Sequence, residues 1–350
     1  MSESEREGIE QIKKIRARWT IYLIGLSVVL IFCVLLSIYK GGSANISVSE
    51  IIDILLGNKA EDSRHYNMIW ESRLPRTVMA LFVGAGLAVS GVAMQGLFRN
   101  PMASPYILGL SSGAAFGASL SMVLGLSFLP GALAIPSMAF IFCLITLLIV
   151  YNIARIGGRV PMETLLLAGI AVGAFFSALV NLMTYIAGEK MEGIVFWMMG
   201  DLSQNGWSDV QMVIPMVLIG ASIIMYYSRD LNAMMLGDNH AQNLGIEVGK
   251  VRLRILVACA LATAAAVSFV GIIGFVGLVV PHVMRIIVGP DHRILVPASV
   301  LAGGSFLILA DILARWVMHP QILPIGILTA LIGAPYFIYL LRRKRKEVGW

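Results

Sequence analysis

The stretch RLPRTVMALFVGAGLAVSGVAMQGLFRNPMASPYILGLSSGA, Arg73–Ala114, decides the fold. Between Arg76 and Arg99 it carries no charged side chain, and Thr77–Leu97 is long enough to cross a ~30 Å hydrocarbon core, which takes about 20 helical residues. Asn100-Pro101 and Pro105 then break the run, and a second apolar segment begins at Tyr106. Small residues recur inside both segments: Gly84, Gly86 and Gly91, then Gly109, Gly113 and Gly117. Glycines spaced along a membrane helix let backbones approach closely, so the stretch predicts two helices of a tightly packed bundle.

The rest of the chain reads the same way. Of 350 residues, 58% are hydrophobic and only 13% charged, with 35 glycines. Mean hydropathy is +0.84. A globular domain is about one quarter charged, so a soluble fold is excluded. Disorder, which needs low hydrophobicity and high net charge, is excluded too. Cys33, Cys143 and Cys259 lie in apolar runs, which implies neither a disulfide framework nor a thiolate metal site.

Working outward, residues 1–18 form a polar leader of alternating acids and bases before the apolar run Trp19–Tyr39. That run is too long for a secretory signal core and predicts a retained first span. After Thr77–Leu97 follow Tyr106–Leu124, Ala132–Ile153, Thr164–Ala187, Val210–Tyr227, Ile255–Val270, Phe275–Val288, Ile294–Val317 and Ile322–Leu341. The Phe275–Val288 segment is short and interrupted by glycines and Pro281, so hydropathy alone could merge it with its predecessor. Charge placement sets the parity. Ten spans with the N-terminus inside put 19 of the 26 lysines and arginines on the cytoplasmic side, as the positive-inside rule requires. Nine spans would put the Arg342–Lys346 cluster outside. The expected organisation is an all-α polytopic protein: a cytoplasmic leader 1–18, one transmembrane domain 19–341, and a basic cytoplasmic tail 342–350. The tail reads as a topology anchor attracted to anionic membrane lipid. Nucleic-acid binding would need base-reading or stacking groups beside the charge, and none is visible.

Chemistry-bearing residues are few. No chain of intramembrane carboxylates or histidines suggests a proton relay. Asp311 and Arg315 are spaced to form a structural ion pair on one helix face, and His282 reads as a packing residue. No H-E-x-x-H, G-x-S-x-G or phosphate-binding G-x-x-x-x-G-K-[ST] motif occurs. The chain is therefore expected to be no enzyme and to bind no ATP itself. The longest polar internal segment, 229–254, holds apolar residues (Met234, Met235, Leu236, Leu244, Ile246) around Gly237 and Gly245. It reads either as a cap on the bundle or as a docking element for a cytoplasmic partner, which exposed Met-rich apolar surface suits.

Arg73–Ala114, together with Gly237–Arg254 (GDNHAQNLGIEVGKVRLR), Gly274–Arg315 and Leu323–Leu341, closely resembles FecCD-type permeases of type II ABC importers for iron-siderophore, haem and cobalamin. The matches run in family order along nearly the whole chain. The resemblance implies ten helices per subunit in the plasma membrane of a prokaryote, with both termini cytoplasmic. It also implies a homodimer, or a pair with a close paralogue, around a central pathway. Two cytoplasmic ATP-binding subunits and an extracytoplasmic substrate-binding protein complete the assembly, with no cofactor and no bound metal. By the same resemblance, Gly237, Ala241, Leu244 and Gly245 belong to the coupling helices. Arg73, Arg76 and Arg315 match external arginines that pair with carboxylates of the binding protein. The cytoplasmic gate falls on Asn100 and Met102 and on Met162 and Glu163. Phe196–Asp201 matches a short external helix near the pathway mouth. At Met162 and Glu163 the chain departs from the small hydroxyl residues of cobalamin permeases, a hint against cobalamin. A ferric siderophore is the expected cargo; haem, cobalamin or an oxyanion are alternatives. An ion-coupled secondary transporter is disfavoured by the missing relay, and a membrane enzyme by the missing catalytic cluster.

Overall fold

The computed structural model describes residues 3–40, 46–57, 64–158, 160–318 and 320–348. Lys59, Arg159 and residues 349–350 of the tail lie outside the described residues. The elements are helices: α1 (Glu3–Tyr39), α2 (Val48–Leu55), α3 (Arg64–Asn67), α4 (Leu74–Leu97), α5 (Leu110–Leu124), α6 (Ala134–Ala154), α7 (Met162–Ile186) and α8 (Met191–Met199). There follow α9 (Trp207–Tyr226), α10 (Ser228–Met235), α11 (Asp238–Asn243), α12 (Val248–Val270), α13 (Val276–Val288), α14 (His292–Val317) and α15 (Ile325–Val348). Among the described residues, seven helices are long and apolar enough to span a bilayer, and the shorter apolar helices Leu110–Leu124, Val276–Val288 and Ile325–Leu340 bring the number to ten. The expected spans are thus present in order. Residues 3–18 of the leader are helical and run without a break into the first span as α1. Two features of the loop after α1 carry no hydropathy signal: the short α2 and a π-helical turn at Met68–Arg73 that feeds α4.

α4 lies at the centre. Its apolar window is 83% buried, against 17% for α1, whose Ile21, Ile24, Val28, Ile31, Phe32 and Leu35 face outward. Water does not drive helices together inside lipid, so close backbone packing must. The sequence supplies it at two crossings. A Cβ on Gly84 would fall on the Gly303 carbonyl of α14, and one on Gly91 on the Gly277 carbonyl of α13.

The doubtful division between α12 and α13 is real. After Val270 the chain leaves the helix through Gly271 (φ +73°) and re-enters it after Phe275 (φ +66°). Backbone carbonyls freed at that depth need partners. Val270 O accepts the Asp201 amide at 2.8 Å, and Ile273 O accepts the Tyr106 hydroxyl at 2.9 Å.

The span order also sorts the loops. Residues after α4, before α7, in α11 and at the start of α12 meet at one end. The ends of α1 and α14 and the start of α4 meet at the other. Ten spans require this grouping.

Candidate functional site

At the first end, α10 and α11 form a short pair hinged at Gly237, whose φ of +125° only glycine adopts with ease. α10 is pinned to the bundle by Asn232. Its Oδ1 accepts the His292 amide (2.9 Å) and the His292 Nδ1–H (2.7 Å), and its amide donates to Asp291 (2.8 Å). Asp291 in turn caps α14 and bonds Arg293. Burial works against ionisation of Asp291, but the bonds to Arg293 and Asn232 outweigh it and lower its pKa to about 2.

α11 is held differently. One oxygen of Asp238 accepts Arg99, which follows α4; the other accepts Arg252 of α12 at 2.7 Å. Burial again opposes ionisation, and Arg252 followed by Arg99 outweighs it, so the carboxyl lies below its ordinary value. Of the expected coupling residues, Ala241 faces inward and is fully buried, a packing seat rather than a contact surface. Gly237 and Gly245 supply left-handed backbone on either side of α11. Leu244 is 69% exposed, and Leu236 at 72% joins it. Met234, by contrast, is buried. The outward apolar surface is therefore two leucines, not a methionine patch.

The expected gate residues sit beside this assembly. Asn100 is exposed and Met102 half-buried; the Asn100 side chain accepts the Met102 amide at 3.0 Å and fixes the turn. Met162 and Glu163 open α7, half-buried and exposed respectively. The 3-10 turn Pro105–Leu108, just beyond Met102, packs on α7, where Gly169 meets the Ile107 carbonyl.

At the opposite end the three arginines come together, but facing inward. Arg73, Arg76 and Arg315 are only 2%, 8% and 8% exposed. Arg73 donates to the Ile38 and Tyr39 carbonyls (2.8 and 3.4 Å), a cation at the C-terminus of α1, where the helix dipole favours it. Arg76 bonds Asp311 at 2.9 Å. Arg315 pairs with Asp311 as the spacing predicted, at 2.9 Å, and donates to Ser37, which donates to Thr77, which donates to Arg73 O. Within the chain these side chains knit α1, α4 and α14 together. One carboxylate thus pairs with two guanidiniums, and the third is held by backbone carbonyls.

On the same side, α8 and the turn after it border a cavity of 490 Å³ lined by Phe196, Trp197, Asp201, Asn205 and Asp209 among others. Both carboxylates are already used, Asp201 by Ser203 and Asp209 by the Gly206 amide.

The FecCD transport family matches residues 29–343. The chain is 45% identical over 270 residues to the cobalamin import system permease protein BtuC of Halobacterium salinarum, covering 77% of this chain and 72% of that one. It is 41% identical over 318 residues to the hemin transport system permease protein HmuU of Yersinia pestis, covering 90% and 95%. A solved structure of a metal-chelate type ABC transporter in an inward-facing conformation superposes with a TM-score of 0.81 at 34% identity, covering 92% of this chain and 98% of that one.

Proposed function

The chain belongs to the FecCD transport family, and from that premise we propose that it is the membrane pathway of an ABC importer for ferric siderophore, working by alternating access. The permease assignment for metal chelates, haem, cobalamin or similar cargo follows from the relatives. The observation that carries the mechanism is the α10–α11 pair, which holds Leu236 and Leu244 outward at the end where the gate loops lie. Two copies of the chain frame the pathway. Two ATP-binding subunits on the cytoplasmic side seat on the exposed leucines. Closing on ATP, they displace α11, and the loops at Asn100–Met102 and Met162–Glu163 open or close the inner mouth. At the outer end Arg73, Arg76 and Arg315 shape the surface on which a substrate-binding protein docks, by holding the ends of α1, α4 and α14 together. The permease makes no covalent bond to cargo, and a weakly binding pathway suits release of a bulky chelate.

The hint against cobalamin at Met162 and Glu163 carries little weight beside a 45% identical relative named for cobalamin import. Cobalamin and haem therefore stay as the second reading of cargo. The deciding experiment reconstitutes the chain in liposomes with its ATPase and binding protein and offers ferric siderophore, hemin and cobalamin in parallel. ATP-dependent uptake of the siderophore alone is expected. Uptake of hemin or cobalamin instead would reassign the cargo, and uptake without the ATPase under an ion gradient would overturn the importer reading.

A further inference from the structure

Asp238 is a single carboxylate divided between two parts of the bundle. Its Oδ1 takes Arg99, the residue immediately before Asn100. Its Oδ2 takes Arg252 at 2.7 Å, and the other arm of Arg252 donates to the Val160 carbonyl at 3.0 Å, two residues before Met162. Arg99 also donates through Nε to Met234 O at 2.7 Å, so it grips both α10 and α11. Among the described residues, these bonds run from the N-terminus of α11 to both gate loops through one side chain.

Arg99 stands at φ +49°, as the left-handed residue just past the C-terminus of α4: its N–H bonds Gly96 O at 3.3 Å and the Asn100 N–H bonds Gln95 O at 3.2 Å, the pairing that closes a helix end. Its backbone is thus fixed to α4 while its guanidinium holds α10 and α11. Arg252 is nearly buried, whereas Asp238 and Arg99 are more than a third exposed. Asp238 thus meets Arg99 at a wet edge and Arg252 at a dry one, and both arms must hold for α11 to carry the two loops with it.

We propose that Asp238 is the positioning residue that transmits movement of α11 to both gate loops, through Arg99 to Asn100–Met102 and through Arg252 and Val160 to Met162–Glu163. The assignment rests on the importer reading above. Asparagine at this position would keep the shape but remove the charge, and it would turn an amide N–H toward one of the two guanidiniums. Gate and ATPase would then move independently.

The test needs no cargo. The full chain, assembled with its ATPase in nanodiscs, carries nitroxide labels through M102C and E163C; native Cys33, Cys143 and Cys259 are buried and resist labelling. Pulsed electron resonance compares the label separation without nucleotide and with ATP plus vanadate. Wild type is expected to shift. Asp238→Asn should cut that shift to about a third or less, in keeping with the loss of charge-assisted bonds, while ATP hydrolysis and the melting temperature stay close to wild type. Asp238→Glu should restore most of it. Arg99→Gln, at an exposed side chain, gives the same loss should Asp238→Asn fail to assemble. A full shift in both Asp238→Asn and Arg99→Gln overturns the proposal. So does a parallel fall of shift, hydrolysis and melting temperature, which would make Asp238 merely structural. A wild type that hydrolyses no ATP and shows no shift would instead remove the importer reading, and this assignment with it.

Discussion

The two ends of the bundle use the same chemistry at different depths. At one, Asp311 is 1% exposed between Arg76 and Arg315, whose side chains are 10% and 6% exposed. At the other, Asp238 is 38% exposed between Arg99 at 39% and Arg252 at 9%. Removing one partner of a buried pair strands a charge and costs about 3–5 kcal/mol, whereas an exposed pair is worth about 0–1 kcal/mol. The buried cluster is thus a joint on which the fold depends, and the half-wet one a latch whose loss the fold tolerates.

The sharpest way to break this contrast is Asp311→Ala. It leaves two buried guanidiniums unpaired and should destabilise the protein by about 3–5 kcal/mol, read as a large drop in thermal unfolding temperature in detergent. A change below that of an exposed ion pair would erase the distinction between joint and latch. Gly91→Val tests the middle, on which both ends depend. Its side chain collides with the Gly277 backbone, and overpacking of this kind costs about 1–3 kcal/mol, measured the same way. The smallest effect concerns acid. The carboxyls of Asp238 and Asp291 are depressed in the folded protein from the ordinary 3.8, Asp291 to about 2. Their stabilisation is therefore complete above pH 3.8 and is lost as pH falls through the lowered values. Amide exchange across α10 and α11 should be flat from neutral pH to about 4.5 after correction for intrinsic rates and should rise only below the ordinary carboxylate pKa. An earlier rise would mean that other groups hold the latch.

Much of this architecture is legible in the sequence because hydropathy is a one-dimensional signal. Each span needs only its own residues, so ten segments and their parity come from runs of apolar side chains and the placement of arginines. The Asp311–Arg315 pair was readable for the same reason, being one helical turn apart. Arg76 as the second partner of Asp311 lies 235 residues away in sequence, and no local pattern announces it. The inward turn of Arg73, Arg76 and Arg315 is hidden for that reason. The same limit hid Asp238, an ordinary acid in a polar loop until Arg99 and Arg252 are brought to it. The error over Met234 is of another kind. Composition marks a loop as apolar, but only the register of α10 decides that Met234 faces the bundle and Leu236 does not. Phe275 in a left-handed conformation was beyond reach, since the surrounding glycines advertise freedom and a phenylalanine does not.

The glycine crossings set a mechanical rule for the whole molecule. Where Gly84 meets Gly303 and Gly91 meets Gly277, backbone lies on backbone with no side chain between them. α14 and α13 cannot slip along α4 by a turn without first lifting clear of it. The three helices therefore form one strut, with the arginine joint at one tip and the Asp238 latch near the other. A push of a few ångströms at the latch would tilt that strut rather than bend it, so the arginine tip would swing as the Asp238 end is driven.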